Sequence, residues 1–262
     1  IKDYLEKLKM PQFDFTDAEA HALTTFLLSQ VEEPIPLAME RRLNLKEQEI
    51  ELGRLLITKL NCQGCHVLEG KGGQVKELLA DPGLAPPPLD GEGAKVQETW
   101  LYHFLKEPTT IRPWLSFRMP SFGFDHGELT RLVKYFSHLA HQEIFFDKVA
   151  SPEGARPSAE SLEAGKSLFI TFQCAKCHEP KKGAALGTSF LAPDLALSNS
   201  RLKPQWIVEW LKDPQVLQPG TLMPTFFPEG QSPAPDVLGG DSTKQIEAIR
   251  DYLLQYTPPQ DS

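Results

Sequence analysis

Apolar residues recur at helical spacing in three stretches of the chain, and each stretch occurs twice. Residues 51–57 read Glu-Leu-Gly-Arg-Leu-Leu-Ile and residues 163–169 read Glu-Ala-Gly-Lys-Ser-Leu-Phe, both the pattern of an amphipathic helix. Downstream, Trp100-Leu101-Tyr102-His103-Phe104-Leu105-Lys106-Glu107-Pro108 matches Trp206-Ile207-Val208-Glu209-Trp210-Leu211-Lys212-Asp213-Pro214, with a proline marking each helix end. A third pair covers 125–140 and 242–256, helices capped by Asp or Ser. The chain is therefore a duplication of one helical unit.

The copies set the domain organisation: a first lobe over 49–150, a linker over 151–159 with Pro, Gly and Ser, and a second lobe over 160–262. Residues 1–48 hold a partial third copy, because Met10-Pro11-Gln12-Phe13 precedes Thr16-Asp17-Ala18-Glu19 and an apolar helix through Leu28, with no cysteine. This segment reads as the back half of a further lobe, either because the chain belongs to a longer protein with more such lobes or because a former lobe has decayed. At 262 residues the length suits two small domains.

Composition narrows the function classes. Hydrophobic residues are 40% and charged residues 24%, as in ordinary globular proteins, and no apolar run nears the ~20 residues of a membrane helix. A formal net charge of -8 excludes nucleic acid as a partner and favours basic protein surfaces. The start, Ile1-Lys2-Asp3-Tyr4, has no signal-peptide character, so any export signal has been removed or lies upstream.

All four cysteines fall in Cys62-Gln63-Gly64-Cys65-His66 and Cys174-Ala175-Lys176-Cys177-His178, the Cys-x-x-Cys-His pattern of c-type haem attachment. Two thiols at this spacing reach the two vinyl groups of one porphyrin, and the next imidazole coordinates iron from below. A zinc site would bring its cysteine pairs much closer together in sequence. A redox-active pair would sit in a thioredoxin-like alternation of strands and helices, which this pattern lacks.

A second axial ligand is sought in Met119 and Met223, which open Met119-Pro120-Ser121-Phe122 and Met223-Pro224-Thr225-Phe226 at the same point of each lobe. Met39 lacks that context and reads as packing. His126 is the rival to Met119, but the second lobe has no equivalent; His21, His103, His138 and His141 read as surface residues. Trp100 and Trp206 pack on the porphyrin edge or in the core. Pro86, Pro87, Pro88 and Pro193 stiffen loops that hold the proximal His.

With Gly and a large apolar residue before Cys-x-x-Cys-His, Pro after it, then Met-Pro and an aromatic-bearing last helix, each lobe resembles the small His/Met (class I-like) cytochromes c. The resemblance covers 49–145 and 160–258 and departs from the family in inserts at 75–92 and 228–240. It implies an all-α fold of two tandem cytochrome c-like domains, preceded by the partial third segment, which belongs to a longer multihaem cytochrome or is a decayed lobe. First and last helices would cross at Gly53 with Tyr135 or Phe136, and at Gly165 with Tyr252. It also implies two covalently bound haem c groups, held by Cys62, Cys65, His66 and Met119 and by Cys174, Cys177, His178 and Met223.

The function implied is electron transfer rather than catalysis, as a soluble carrier or a relay subunit of a respiratory chain. The partners would be a redox-protein donor and acceptor, including a membrane respiratory complex. The location implied is periplasmic or otherwise extracytoplasmic. The competing reading is a dihaem peroxidase-type enzyme with one open iron, which would break the symmetry of the two Met-Pro-x-Phe segments. A thiosulfate-oxidising dihaem enzyme would need a further cysteine, and the chain has none.

Overall fold

A computed structural model describes residues 13–30, 42–79, 84–113, 115, 118–143, 156–178 and 192–258. Met10, Met39 and the first half of the interlobe linker lie outside them. The chain divides into two compact units, Ile1–Leu43 and Asn44–Ser262. In the first, helix α1 (Asp17–Ser29) begins at Thr16, whose side chain accepts from Glu19 N while Glu19 reaches back to the Thr16 N–H. Its flanking Phe13 and Phe15 are exposed and stacked, with ring centroids 5.3 Å apart.

The second unit is mostly helical and carries both lobes. Lobe 1 runs through α2 (Leu45–Lys59), α3 (Glu98–Lys106) and α4 (His126–Leu139); lobe 2 through α5 (Ala159–Thr171), α6 (Pro204–Lys212) and α7 (Ser242–Leu254). The first and last helices of each lobe cross at a glycine. A Cβ on Gly53 would stand 2.6 Å from Tyr135 Cβ, and one on Gly165 would stand 2.8 Å from Tyr252 Cβ and closer still to the Ala248 carbonyl. Only a residue without a side chain lets the helices approach this far. Around each crossing the apolar stripes close a core, with Ile57, Leu101, Leu132 and Phe136 in lobe 1 and Leu168, Ile207, Ile249 and Leu253 in lobe 2.

Three details differ from the sequence reading. The cap of α7 is Asp241, which accepts from Lys244 N, with Ser242 the first helical residue. That helix ends at Leu254, leaving Tyr256 beyond it to pack on Phe169 at 5.5 Å. Lobe 1 also contains a small antiparallel hairpin, β1 (Val67–Leu68) with β2 (Lys71–Gly72). Its turn residues Glu69 and Gly70 both have positive φ, the conformation a two-residue hairpin loop requires. The second insert folds as two short turns over Gln245, a fully buried amide that donates to the Ala234 and Val237 carbonyls at 2.9 and 2.6 Å.

The lobes meet along an antiparallel bridge between Val96 and Leu202, which occupy the same position relative to Trp100 and Trp206. Gln97 N donates to Arg201 O and Lys203 N donates to Lys95 O, both at 2.9 Å, so equivalent atoms exchange equivalent bonds. Beside this bridge Lys203 Nζ donates to Glu98 Oε1 at 2.6 Å and to Gly93 O at 2.8 Å. Glu98 is only 2% exposed, so its charge depends on the cation from the other lobe. Among the described residues no helix is long and apolar enough to cross a membrane.

Candidate functional site

The two cysteine motifs fold into the same turn. Asn61 (φ 53°) and Gln173 (φ 58°) enter left-handed, and then Cys65 N bonds to Cys62 O and Cys177 N to Cys174 O, each at 3.2 Å. His66 N and His178 N return to the same carbonyls at 2.9 and 3.1 Å. This single helical turn sets the paired thiols on one face, because residues three apart are neighbours on a helix.

Each imidazole is held from behind. His66 Nδ1 lies 2.8 Å from the Pro87 carbonyl and His178 Nδ1 lies 2.7 Å from the Pro193 carbonyl. A carbonyl only accepts, so Nδ1 carries the proton and Nε2 keeps its lone pair for a metal. Burial pushes both imidazoles below the usual histidine value, against the smaller opposing effect of the proline carbonyls, which favours the neutral ligating form. Within the run 86–88 it is Pro87 that matches Pro193.

The first thiol of each pair lacks the depressed value of a redox-active cysteine. Burial pushes the Cys62 thiol up and that of Cys174 to about 11, whereas a redox-active pair needs a depressed thiol.

One continuous cavity of about 870 Å³ is lined by all eight residues singled out in the sequence: Cys62, Cys65, His66 and Met119, together with Cys174, Cys177, His178 and Met223. Its remaining walls are mainly aliphatic and aromatic, with core residues such as Ile57, Leu132, Ile207 and Ile249 at the surface of the space. His126, the rival ligand, is not among its lining residues; its Nδ1 pairs with the Tyr102 hydroxyl at 2.8 Å. His103 and His141 are exposed and His138 half-buried at the end of α4.

Five cations also line the cavity: Lys95, Arg112, Arg118, Lys176 and Arg201. Lys95 Nζ stands 5.6 Å from the Trp206 ring centroid and the Arg201 guanidinium 5.1 Å from that of Trp100, so each lobe lays a cation on the other lobe's indole. Burial pushes Lys95, Arg112 and Arg201 below their usual values, and the charge of Arg201 lowers Arg112 further. Glu92 pairs with Lys95 at 3.2 Å, but Arg201 Nε is buried without a hydrogen-bond partner.

An apolar space with paired thiols, a backed imidazole, a thioether and unbalanced positive charge fits haem, a flat apolar ring with two carboxylate side groups and an iron. The cations escaped the sequence reading because isolated Lys and Arg read as surface. The signal was present all the same: both lobes carry a cation five residues before their tryptophan.

Comparison with protein families gives a match to the cytochrome c model over residues 38–140 and again over 162–257. Comparison with curated proteins and with solved structures finds no match. Domains of this family bind haem c covalently, serve electron transfer and are typically extracytoplasmic. With two such matches over most of its length and the geometry described above, the chain belongs to the cytochrome c family.

Proposed function

We propose that this chain is a dihaem electron carrier. The observation that carries the reading is that two complete sets of thiol pair, imidazole and thioether line one cavity. In it, Cys62 and Cys65 attach one haem c and Cys174 and Cys177 the other, His66 and His178 are the proximal ligands, and Met119 and Met223 are the distal ones. Haem c supplies a one-electron couple between ferric and ferrous iron.

The chain's own residues set the conditions for that couple. The Pro87 and Pro193 carbonyls orient the imidazoles. A thioether opposite each imidazole favours ferrous iron and so a high potential. The aliphatic walls exclude water, and Lys95, Arg112 and Arg201 offer positive charge to the haem carboxylates at the junction. A cavity continuous across the junction supports electron exchange between the two lobes of one chain.

In this reading the protein works in the periplasm or another extracytoplasmic space, as a soluble carrier or a relay subunit of a respiratory chain. Its donor and acceptor are redox proteins, a membrane respiratory complex among them, and its charge of -8 favours basic docking patches on them. Residues 1–48 complete the proposal as a partial, haemless cytochrome c-like segment and linker.

Visible and near-infrared spectra of the purified protein, with a pyridine haemochrome count, test the reading. Two haems per chain and a methionine-to-iron band of matching amplitude are expected. A high-spin iron, or ready carbon monoxide binding in the ferrous state, would transfer support to the peroxidase-type enzyme.

A further inference from the structure

The two lobes differ at one cavity-lining position beside their methionines. In lobe 1 Phe104 stacks on Trp100, with centroids 4.8 Å apart and planes 15° apart. In lobe 2 Trp210 stacks on Trp206 in the same way, at 5.0 Å and 20°. The two residues are equivalent in sequence and in place, and both line the cavity with Met119 and Met223. Only the indole carries a donor, and Trp210 Nε1 donates to Met223 Sδ at 2.8 Å. Phe104 has no such group, and among the described residues no hydrogen bond reaches the Met119 sulfur.

The loop that presents Met223 is also fastened. Gln215 Nε2 donates to the Thr221 carbonyl at 2.7 Å and to the Met223 carbonyl at 3.2 Å, and Gln215 Oε1 accepts from Gly220 N at 3.3 Å. Its counterpart in lobe 1 is Thr109, too short to span such a loop.

We propose that Trp210 is a positioning residue that raises the reduction potential of the lobe 2 haem above that of lobe 1, through its hydrogen bond to the Met223 thioether. The inference rests on Met223 as sixth ligand. A thioether sulfur has two lone pairs, so one accepts from the indole while the other faces iron. The N–H draws density from the sulfur and weakens its donation, which ferric iron needs more than ferrous iron. Hydrogen bonds to ligand atoms are an established lever on potential. An electron entering the chain therefore settles on lobe 2.

The test is a potentiometric titration of the full holoprotein, unsubstituted and as Trp210→Phe, with the near-infrared methionine band recorded on both. Two waves are expected in the unsubstituted protein. In Trp210→Phe the upper wave falls toward the lower, by about tenfold in the ferric-to-ferrous equilibrium, ~59 mV for one electron, with the band retained. Waves that stay in place while the band persists, or a shift of the lower wave, overturn the proposal alone. A methionine band in the unsubstituted protein that does not account for both haems overturns the ligation reading itself. Should Trp210→Phe fail to take up haem, the unsubstituted protein still decides. Its indole N–H band in ultraviolet resonance Raman shifts between oxidation states if Trp210 senses the iron, and a band that does not shift overturns the proposal.

Discussion

Lobes 1 and 2 share a plan but hold it together with different chemistry. Lobe 1 ties the hairpin after its cysteine motif to α2 with charge, through Arg54 Nη2 and Glu69 Oε1 at 2.7 Å. Lobe 2 secures its second insert with the neutral amide of Gln245, and its methionine loop with that of Gln215. What the copies keep in common is the thiol turn, the backed imidazole, the glycine crossing and the cation before the tryptophan. Those are the parts that face the shared cavity or set its walls, whereas the fastenings behind them are free to differ.

The largest expected effect falls on the junction that neither lobe owns. Lys203→Ala leaves the Glu98 carboxylate buried without its cation and should cost ~3–5 kcal/mol, read as a lowered urea midpoint. Lys203→Met combined with Glu98→Leu should recover most of that loss. Next comes the glycine crossing. Gly165→Ala drives a methyl against the Ala248 backbone, and Gly53→Ala drives one against the Tyr135 side chain. Each should cost ~1–3 kcal/mol, with lobe 2 the more sensitive because a carbonyl within a helix cannot swing aside.

The smallest effect sharpens the charged side of the comparison. Arg54 holds the Glu69 carboxyl below the usual carboxylate range. A depressed folded value means that the stabilisation is complete above the unfolded value of ~4.3 and is lost as pH falls through the folded one. Glu69→Gln should therefore cost under ~1 kcal/mol at neutral pH, since both side chains are partly exposed. The difference between variant and parent should vanish in acid, as followed by thermal unfolding at several pH values. Lobe 2's amide fastenings predict no such pH dependence for Gln245→Leu.

Much of this was legible in the chain because a duplication states its rules twice. Glycines at matching distances before each first cysteine pointed to the helix crossings, and the paired Met-Pro segments pointed to residues that do line the cavity. The hairpin at Val67–Gly72 escaped because two-residue strands carry no alternation to read. The junction escaped for a deeper reason. Whether Lys203 meets Glu98, or Arg201 meets Trp100, depends on how two complete lobes dock, and no local pattern of polarity encodes that. The Trp210 contact lay in plain view as a tryptophan aligned with a phenylalanine, but its meaning depends on where the Met223 sulfur comes to rest.

At the bridge between the lobes Val96 meets Leu202, its own counterpart, and the flanking bonds run from each lobe to the other in the same way. That is the geometry of an isologous two-fold contact, such as a homodimer of one lobe would make. In a true homodimer a single codon serves both copies, so any change at one centre is imposed on the other. Carried on one polypeptide, the same contact is specified by two independent stretches of gene. Position 104 is free to hold phenylalanine while position 210 holds tryptophan, and under the proposal made above a direction for electron flow is something that mutation can write into one half at a time.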